Sequence, residues 1–363
     1  MTGDPIVLNN KTSKKNIRDC AKDELESFLH SVGEPPYRAS QIDQWLWQKN
    51  ISSFEQMTNL SLQLRSVLKE NFDLNSLDIH SSQHSNDRTI KYSIRLPDNC
   101  LIEAVLIPVD NRVTACISSQ VGCSLDCTFC ATAKMKRTRN LSKWELYQQV
   151  FILQHMSFQH YQMPLTNVVF MGMGEPLMNF KNVVNCLQMI SSPHGLMMSP
   201  WRVTVSTSGI PKLIRKLADQ QLGIRLAVSL HSANQEIREK IMPFSKRFPL
   251  DELLESLIYW YNKTKQKITF EYLVLRDIND THQDIDQLLE YCKRVPSKVN
   301  FIEYNPVEGD DFQQADPSVL ELYKKTLKRG RIHSTFRSSR GSDIDAACGQ
   351  LANKLASKSS NSI

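Results

Sequence analysis

Residues 122–137 read GCSLDCTFCATAKMKR, with cysteines at 123, 127 and 130, and the reading of this stretch decides the rest of the chain. Three thiols this close together on a loop can be turned toward one point, and soft sulfur ligands select zinc, copper(I) or an iron–sulfur cluster. Structural zinc takes four ligands, usually as two pairs, and the chain has no second C-x-x-C pair to complete such a site. Cys123, Cys127 and Cys130 suit a [4Fe-4S] cubane better, because three cysteines leave the fourth iron open to a small molecule. Zinc, or cysteines with no metal role, are the alternatives.

A chain of 363 residues has room for one large domain and a small one, since single cores commonly stop growing near ~250 residues. A composition 41% hydrophobic and 23% charged is that of a folded soluble protein and excludes the disordered classes. No apolar run is long enough for a membrane span, and MTGDPIVLNNKTSKKN lacks the apolar core of a secretory leader, so the expected location is the cytosol. Nine cysteines in such a chain point to metal or redox chemistry before a disulfide framework. The formal net charge of +6 permits a nucleic-acid partner without requiring one. Three basic clusters stand out: Lys11, Lys14, Lys15 and Arg18; Lys134, Lys136, Arg137 and Arg139; and Arg331, Arg337 and Arg340. They read either as solvated surface or as a phosphate-binding rim around the metal site.

Working outward from the cysteines, residues 1–75 predict a small helical accessory domain, with helices after Asp23, over Arg38–Asn50 and over Leu60–Phe72. Trp45 and Trp47 lie in the second of these and read as core aromatics. Residues 76–111 predict a β-hairpin extension, Thr89–Leu96 and Leu101–Pro108 about the turn Pro97-Asp98-Asn99. Glu103 falls in an alternating strand, where an acidic side chain reads as solvent-facing. From Arg112 to about residue 351, six strand-like runs alternate with six helical ones, which predicts an α/β fold with a parallel sheet curved into a partial (β/α)6 barrel. Residues 352–363 read as a frayed tail.

The cysteine loop follows the first predicted strand, and reactive groups of such folds gather at the carboxyl ends of the strands. The other polar signals fall on the same rim: Gly174 and Glu175 in G-M-G-E-P, Ser206 in S-T-S-G, Ser229-Leu230-His231, and Asn305. Singly each is a turn or a helix cap; together they predict one shared ligand. Cys348, between Ala347 and Gly349 on a tight polar loop, reads as more exposed and reactive than Cys186 and Cys292, which have the apolar neighbours of core cysteines.

The C-x-x-x-C-x-x-C spacing with Phe129 before the last cysteine resembles the radical S-adenosylmethionine (SAM) superfamily. CSLDCTFC, MGMGEP, STSG and RGSDIDAACGQL in combination resemble, over nearly the whole chain, the RlmN family of adenosine carbon-2 RNA methyltransferases. The Cfr resistance methyltransferases, which act at carbon 8, share these motifs and are the alternative; a non-catalytic iron–sulfur RNA-binding protein is the alternative from another class. The resemblance implies a radical SAM barrel with Cys123, Cys127 and Cys130 on a [4Fe-4S] cluster. It implies SAM bound at Gly174, Glu175, Ser206, Ser229, Leu230, His231 and Asn305, with two SAM molecules used per turnover. It further implies that Cys348 is methylated during turnover, that Cys116 later forms a disulfide with it, and that Glu103 accepts the ring proton. The implied partners are 23S rRNA, possibly the tRNA anticodon stem-loop, and a low-potential electron donor, for a monomer that does not engage membranes. Ser342 stands where the family often has an acidic residue.

Overall fold

A computed structural model describes residues 14–307 and 309–352; Lys11 and the tail predicted beyond Ala352 lie outside them. Residues through Ser76 form one compact unit and those from Leu77 onward a second.

The first unit is built on the helices Lys22–Ser31, Tyr37–Asp43 and Leu62–Asn71, with a wider helical turn at Gln44–Gln48. Leu25, Leu29, Ile42, Trp45, Leu46, Trp47, Leu64 and Leu68 turn one face of each inward, so both tryptophans belong to the core. A two-residue parallel pairing of Lys15–Asn16 with Phe72–Asp73 ties the start of the unit to its end. The basic cluster here is largely structural. Arg18 is buried and donates to the carbonyls of Asn75 and Ile51, each at 2.6 Å, and burial lowers its guanidinium to about 10. Lys15 pairs with Glu24, and Lys14 donates to the Lys69 carbonyl at 2.8 Å.

The second unit opens with a three-stranded antiparallel meander, Asp78–His84, Ile90–Arg95 and Leu101–Val109, one strand more than the predicted hairpin. It is continuous with the barrel sheet, because Leu101–Val109 pairs antiparallel with the first barrel strand, Arg112–Cys116. Six further strands run parallel beyond it: Asn167–Phe170, Val203–Thr207, Arg225–Ser229, Ile268–Leu273, Ser297–Ile302 and His333–Arg337. The last is the strand-like tail after the sixth helix, which joins the sheet as its edge. All six residues of Ile268–Leu273 are buried, as a strand covered on both faces requires. His333–Arg337 shares no ladder with Arg112–Cys116, so the barrel is open at that seam, in agreement with the predicted partial barrel.

The helices behind the sheet begin where their capping chemistry says they should. Ser142 and Glu145 form a reciprocal box at the start of Lys143–Tyr161, with Ser142 N–H donating to Glu145 Oε2 at 2.8 Å. Thr281 and Asp284 do the same for His282–Lys293, and Asp316 with Pro317 opens Pro317–Arg329. Arg139, grouped with the basic cluster after the cysteine loop, is drawn into the first of these caps. It grips Glu145 through two bonds of 2.8 Å and Asp98 at 2.6 Å, and these contacts remove it from the free phosphate-binding rim. No helix among the described residues is long and apolar enough to cross a membrane.

Candidate active site

Cys123, Cys127 and Cys130 share a cavity of about 160 Å³ at the carboxyl ends of the strands with Gly174, Glu175, Ser206, Ser229, His231, Asn305 and Cys348. Gly122 sets the loop's entry. It has φ +75°, and a Cβ there would lie 2.5 Å from the Lys136 carbonyl, so no other residue lets the two ends of the loop close. Across the loop, Phe244 N–H donates to Asp126 at 2.9 Å, and Thr128 donates through both its N–H and its hydroxyl to the Ile241 carbonyl at 3.0 Å. Burial pushes all three thiols up, Cys123 to about 12, and Cys127 is raised further by the neighbouring sulfurs of Cys130 and Cys123. Such a trio is stable as thiolates only around positive charge. Among the described residues no three His, Cys, Asp or Glu groups close around a single ion.

The G-E-P turn is locked to that loop by Gln120, whose Oε1 accepts from Glu175 N–H at 3.0 Å and from the Ser124 hydroxyl at 2.9 Å. Gly174 must be glycine, with φ +96° and the Gln120 side chain 2.5 Å from where a Cβ would stand. Burial pushes the Glu175 carboxyl up, while N–H groups of Ser208 at 2.8 Å and Leu177 at 3.0 Å hold it down. His231 is buried in the left-handed region at φ 55°, with the Phe129 ring edge-on at 4.8 Å. Its Nδ1 accepts from Leu273 N–H at 3.1 Å, which leaves the hydrogen on Nε2.

Burial, with Arg238 nearby, lowers His231 to about 3. Its folded value therefore lies below the ordinary 6.5, so the stability that it contributes is complete above pH 6.5 and is lost as pH falls toward about 3. Unfolding free energy should lose up to about 1.4 kcal/mol per pH unit through this group within that window, and a His231→Gln variant should show a correspondingly flatter profile in chemical denaturation.

Three of the residues predicted for the site sit differently from the rest. Leu230 is fully buried and does not line the cavity; its carbonyl accepts from Arg238 instead. Asn305 donates from Nδ2 to the Cys348 carbonyl at 3.3 Å, so it braces the loop of that cysteine. Glu103 is 1% exposed, which overturns the solvent-facing reading of its strand position. Its Oε1 lies 3.4 Å from Lys91 Nζ and its Oε2 accepts from Ala352 N–H at 2.8 Å, outside the main cavity. Cys186 and Cys292 are buried core residues, and Cys348 is exposed, as their contexts suggested. Cys348 and Cys116 meet in a second cavity of about 30 Å³, and all nine cysteines are free thiols.

Two residues that shape the site were not singled out from the sequence for this role. Arg238, on the short helix Gln235–Ile241, is buried and donates to the carbonyls of Ser229 at 2.9 Å and Ser208 at 2.7 Å as well as to Leu230, so it ties together the ends of two adjacent strands. Lys91 donates to the Asp345 carbonyl at 3.2 Å and thereby pins the Cys348 loop to the meander. Nothing local marks either residue; the one signal for Arg238 is its nearness in sequence to the S-L-H rim.

Comparisons with known proteins identify the family and the fold. Residues 15–74 match the ribosomal RNA large subunit methyltransferase N-terminal domain, and residues 117–292 match the radical SAM superfamily. A protein of Christiangramia forsetii named "Probable dual-specificity RNA methyltransferase RlmN" is 53% identical, over 95% of this chain and 98% of its own length. The "Dual-specificity RNA methyltransferase RlmN" of Geotalea uraniireducens is 41% identical, over 94% and 98%. Among solved structures, a radical SAM methyltransferase from Sphaerobacter thermophilus superposes with a TM-score of 0.86 at 34% identity, over 93% of this chain and 99% of that one. With these identities over 94–95% of its length, the chain belongs to the RlmN family of radical SAM RNA methyltransferases.

Proposed function

We propose that this enzyme methylates carbon 2 of adenosine in 23S ribosomal RNA and in the tRNA anticodon stem-loop, through a methyl group first loaded on Cys348. The observation that carries the reading is the meeting of Cys348 with the cluster-loop cavity on one side and with Cys116 on the other. Membership of the family implies a [4Fe-4S] cluster and SAM. Three half-buried thiols that line one cavity are soft donors of the kind an iron–sulfur cluster takes. Cys123, Cys127 and Cys130 would hold it, and the cluster, when bound, supplies the electron that splits SAM.

The chain's own residues do the rest. Glu175, Ser206, Ser229, His231 and Asn305 surround the space for SAM and fix its orientation; neutral His231 offers an Nε2–H donor, and the Gly174 turn lets backbone approach closely. Adenine carbon 2 lies between two ring nitrogens and is electron-poor, so it does not attack a sulfonium. A Cys348 thiolate does, and takes the methyl from one SAM by displacement. A second SAM serves to activate that methyl group. Once the methylene carbon is joined to the base, Glu103 takes the ring proton, with one oxygen kept by Lys91 and the oxygen now capped by Ala352 N–H accepting it. Cys116 then attacks the Cys348 sulfur and frees the methylated RNA. Lys134, Lys136 and Arg137 form the RNA-facing rim, and the enzyme works as a cytoplasmic monomer with a low-potential electron donor.

The test is nucleoside mass spectrometry of ribosomal and transfer RNA from cells with and without the gene. Loss of 2-methyladenosine from both is expected; its survival in one would remove that RNA from the proposal, and its survival in both would remove the proposal. Anaerobically reconstituted protein should also carry about four irons, and the Cys123→Ala, Cys127→Ala, Cys130→Ala triple variant none; iron retained there would put the cluster elsewhere.

A further inference from the structure

Arg337 ends the last barrel strand, in register with Ile302. It lines both the main cavity and the small one that holds Cys116 and Cys348. Its strand has no ladder to the first barrel strand, yet its guanidinium crosses the seam to lie 3.9 Å from Met171 Sδ, just past the end of the second strand. Among the described residues no carboxylate stands within ion-pair distance of it, although Glu271, held by Asn300 Nδ2 at 3.1 Å, faces it from the barrel interior. A guanidinium placed this way is not a structural cross-link. It lines the small cavity that the two cysteines share.

We propose that Arg337 is the cation that readies Cys116 for attack on the sulfur of Cys348. This inference rests on the role given to Cys116 above. The step needs such help, because Cys116 is 8% exposed and burial, then the sulfur of Cys348, push its thiol up. A thiol held that high is almost wholly protonated at neutral pH, and the thiolate is the attacking species. Arg337 opposes both effects, and reciprocally its own guanidinium is raised by the sulfur of Cys348 and by Glu271 and Cys116. The remaining groups around Cys116 do not compete for the role. Arg340, in the same small cavity, stands 4.0 Å from Asp87; Glu103 on the adjoining strand is engaged by Lys91; the Met171 backbone contributes a hydrogen bond.

In the step itself the Cys116 thiolate forms a bond to the Cys348 sulfur, and the bond from that sulfur to the methylene carbon on adenine breaks. The electron pair leaves with the carbon, which takes a proton and becomes the methyl group. The two sulfurs are oxidised to a disulfide, the carbon is reduced, and an external dithiol must reduce the disulfide before the next turnover.

The test uses the cluster-loaded enzyme with RNA and SAM, and follows the RNA–protein adduct on denaturing gels across pH. Arg337→Gln should still methylate Cys348, accumulate adduct, and release RNA at least about tenfold more slowly near neutrality. Because the reactive thiolate fraction rises about tenfold per pH unit below the thiol's titration, release should recover by about that factor for each unit of pH. Arg337→Lys, which keeps the charge, should restore most of the release without a shifted profile, and Cys116→Ala should hold its adduct at every pH. An Arg337→Gln profile superimposable on the wild type would overturn the proposal, as would loss of Cys348 methylation together with the adduct. Absence of adduct in Cys116→Ala would instead remove the underlying assignment of Cys116.

Discussion

With Cys348→Ala, neither methylated protein nor methylated RNA is expected; with Cys116→Ala, methylated protein forms and RNA stays covalently attached through Cys348. The difference follows from where the two thiols stand. Cys348 is exposed on its loop and lines the main cavity, the place proposed for the methyl donor. Cys116 is buried at the end of the first strand and lines the small cavity that it shares with Cys348. The proposed roles follow that split: Cys116 shares the small cavity with Cys348 and does not line the main one. A nuclease-sensitive mass increase on denaturing gels should appear in Cys116→Ala and be absent in the double variant. Free methylated RNA from Cys116→Ala at the wild-type rate would mean that this cysteine is merely part of a strand.

The second large effect concerns stability. Arg238→Met should lower the unfolding free energy by about 3 kcal/mol, read as a fall in Tm of roughly 6–12 °C. Its guanidinium satisfies the carbonyls of Ser208, Ser229 and Leu230 in a buried setting, and methionine fills the volume while leaving all three without a donor. The S-T-S-G and S-L-H turns carry groups that line the main cavity, so with SAM bound there as proposed its affinity should fall alongside. A loss below about 1 kcal/mol with SAM affinity intact would show that water reaches these carbonyls and that Arg238 is not what holds the rim together.

What was legible in the sequence was what is local. The cysteine spacing, the alternation of strand and helix and the polar turns at the strand ends are each written within about ten residues, and the barrel brings their ends together by topology alone. Glu103 shows where that stops. Its alternating strand says one face meets solvent, but that face is covered by the C-terminal loop, through Lys91 to Asp345 and Glu103 to Ala352, contacts spanning 254 and 249 residues of sequence. Charge clusters misled for the same reason. Arg18, Arg139 and Arg337 look alike as basic residues in a row, yet the first holds backbone carbonyls, the second completes a helix cap and the third lines the small cavity of Cys116 and Cys348. Composition records the charge, and only the fold decides what it faces.

The central claim is that the methyl carbon on RNA has passed through Cys348, and a label settles it most directly. Enzyme bearing a trideuterated methyl on Cys348 is mixed with RNA and unlabelled SAM for a single turnover, and the released nucleosides are weighed. The account predicts 2-methyladenosine that keeps two of the three deuterons, the third having left with the hydrogen removed from the methyl group. A wholly unlabelled methyl on carbon 2, with the label still on the protein, would contradict it.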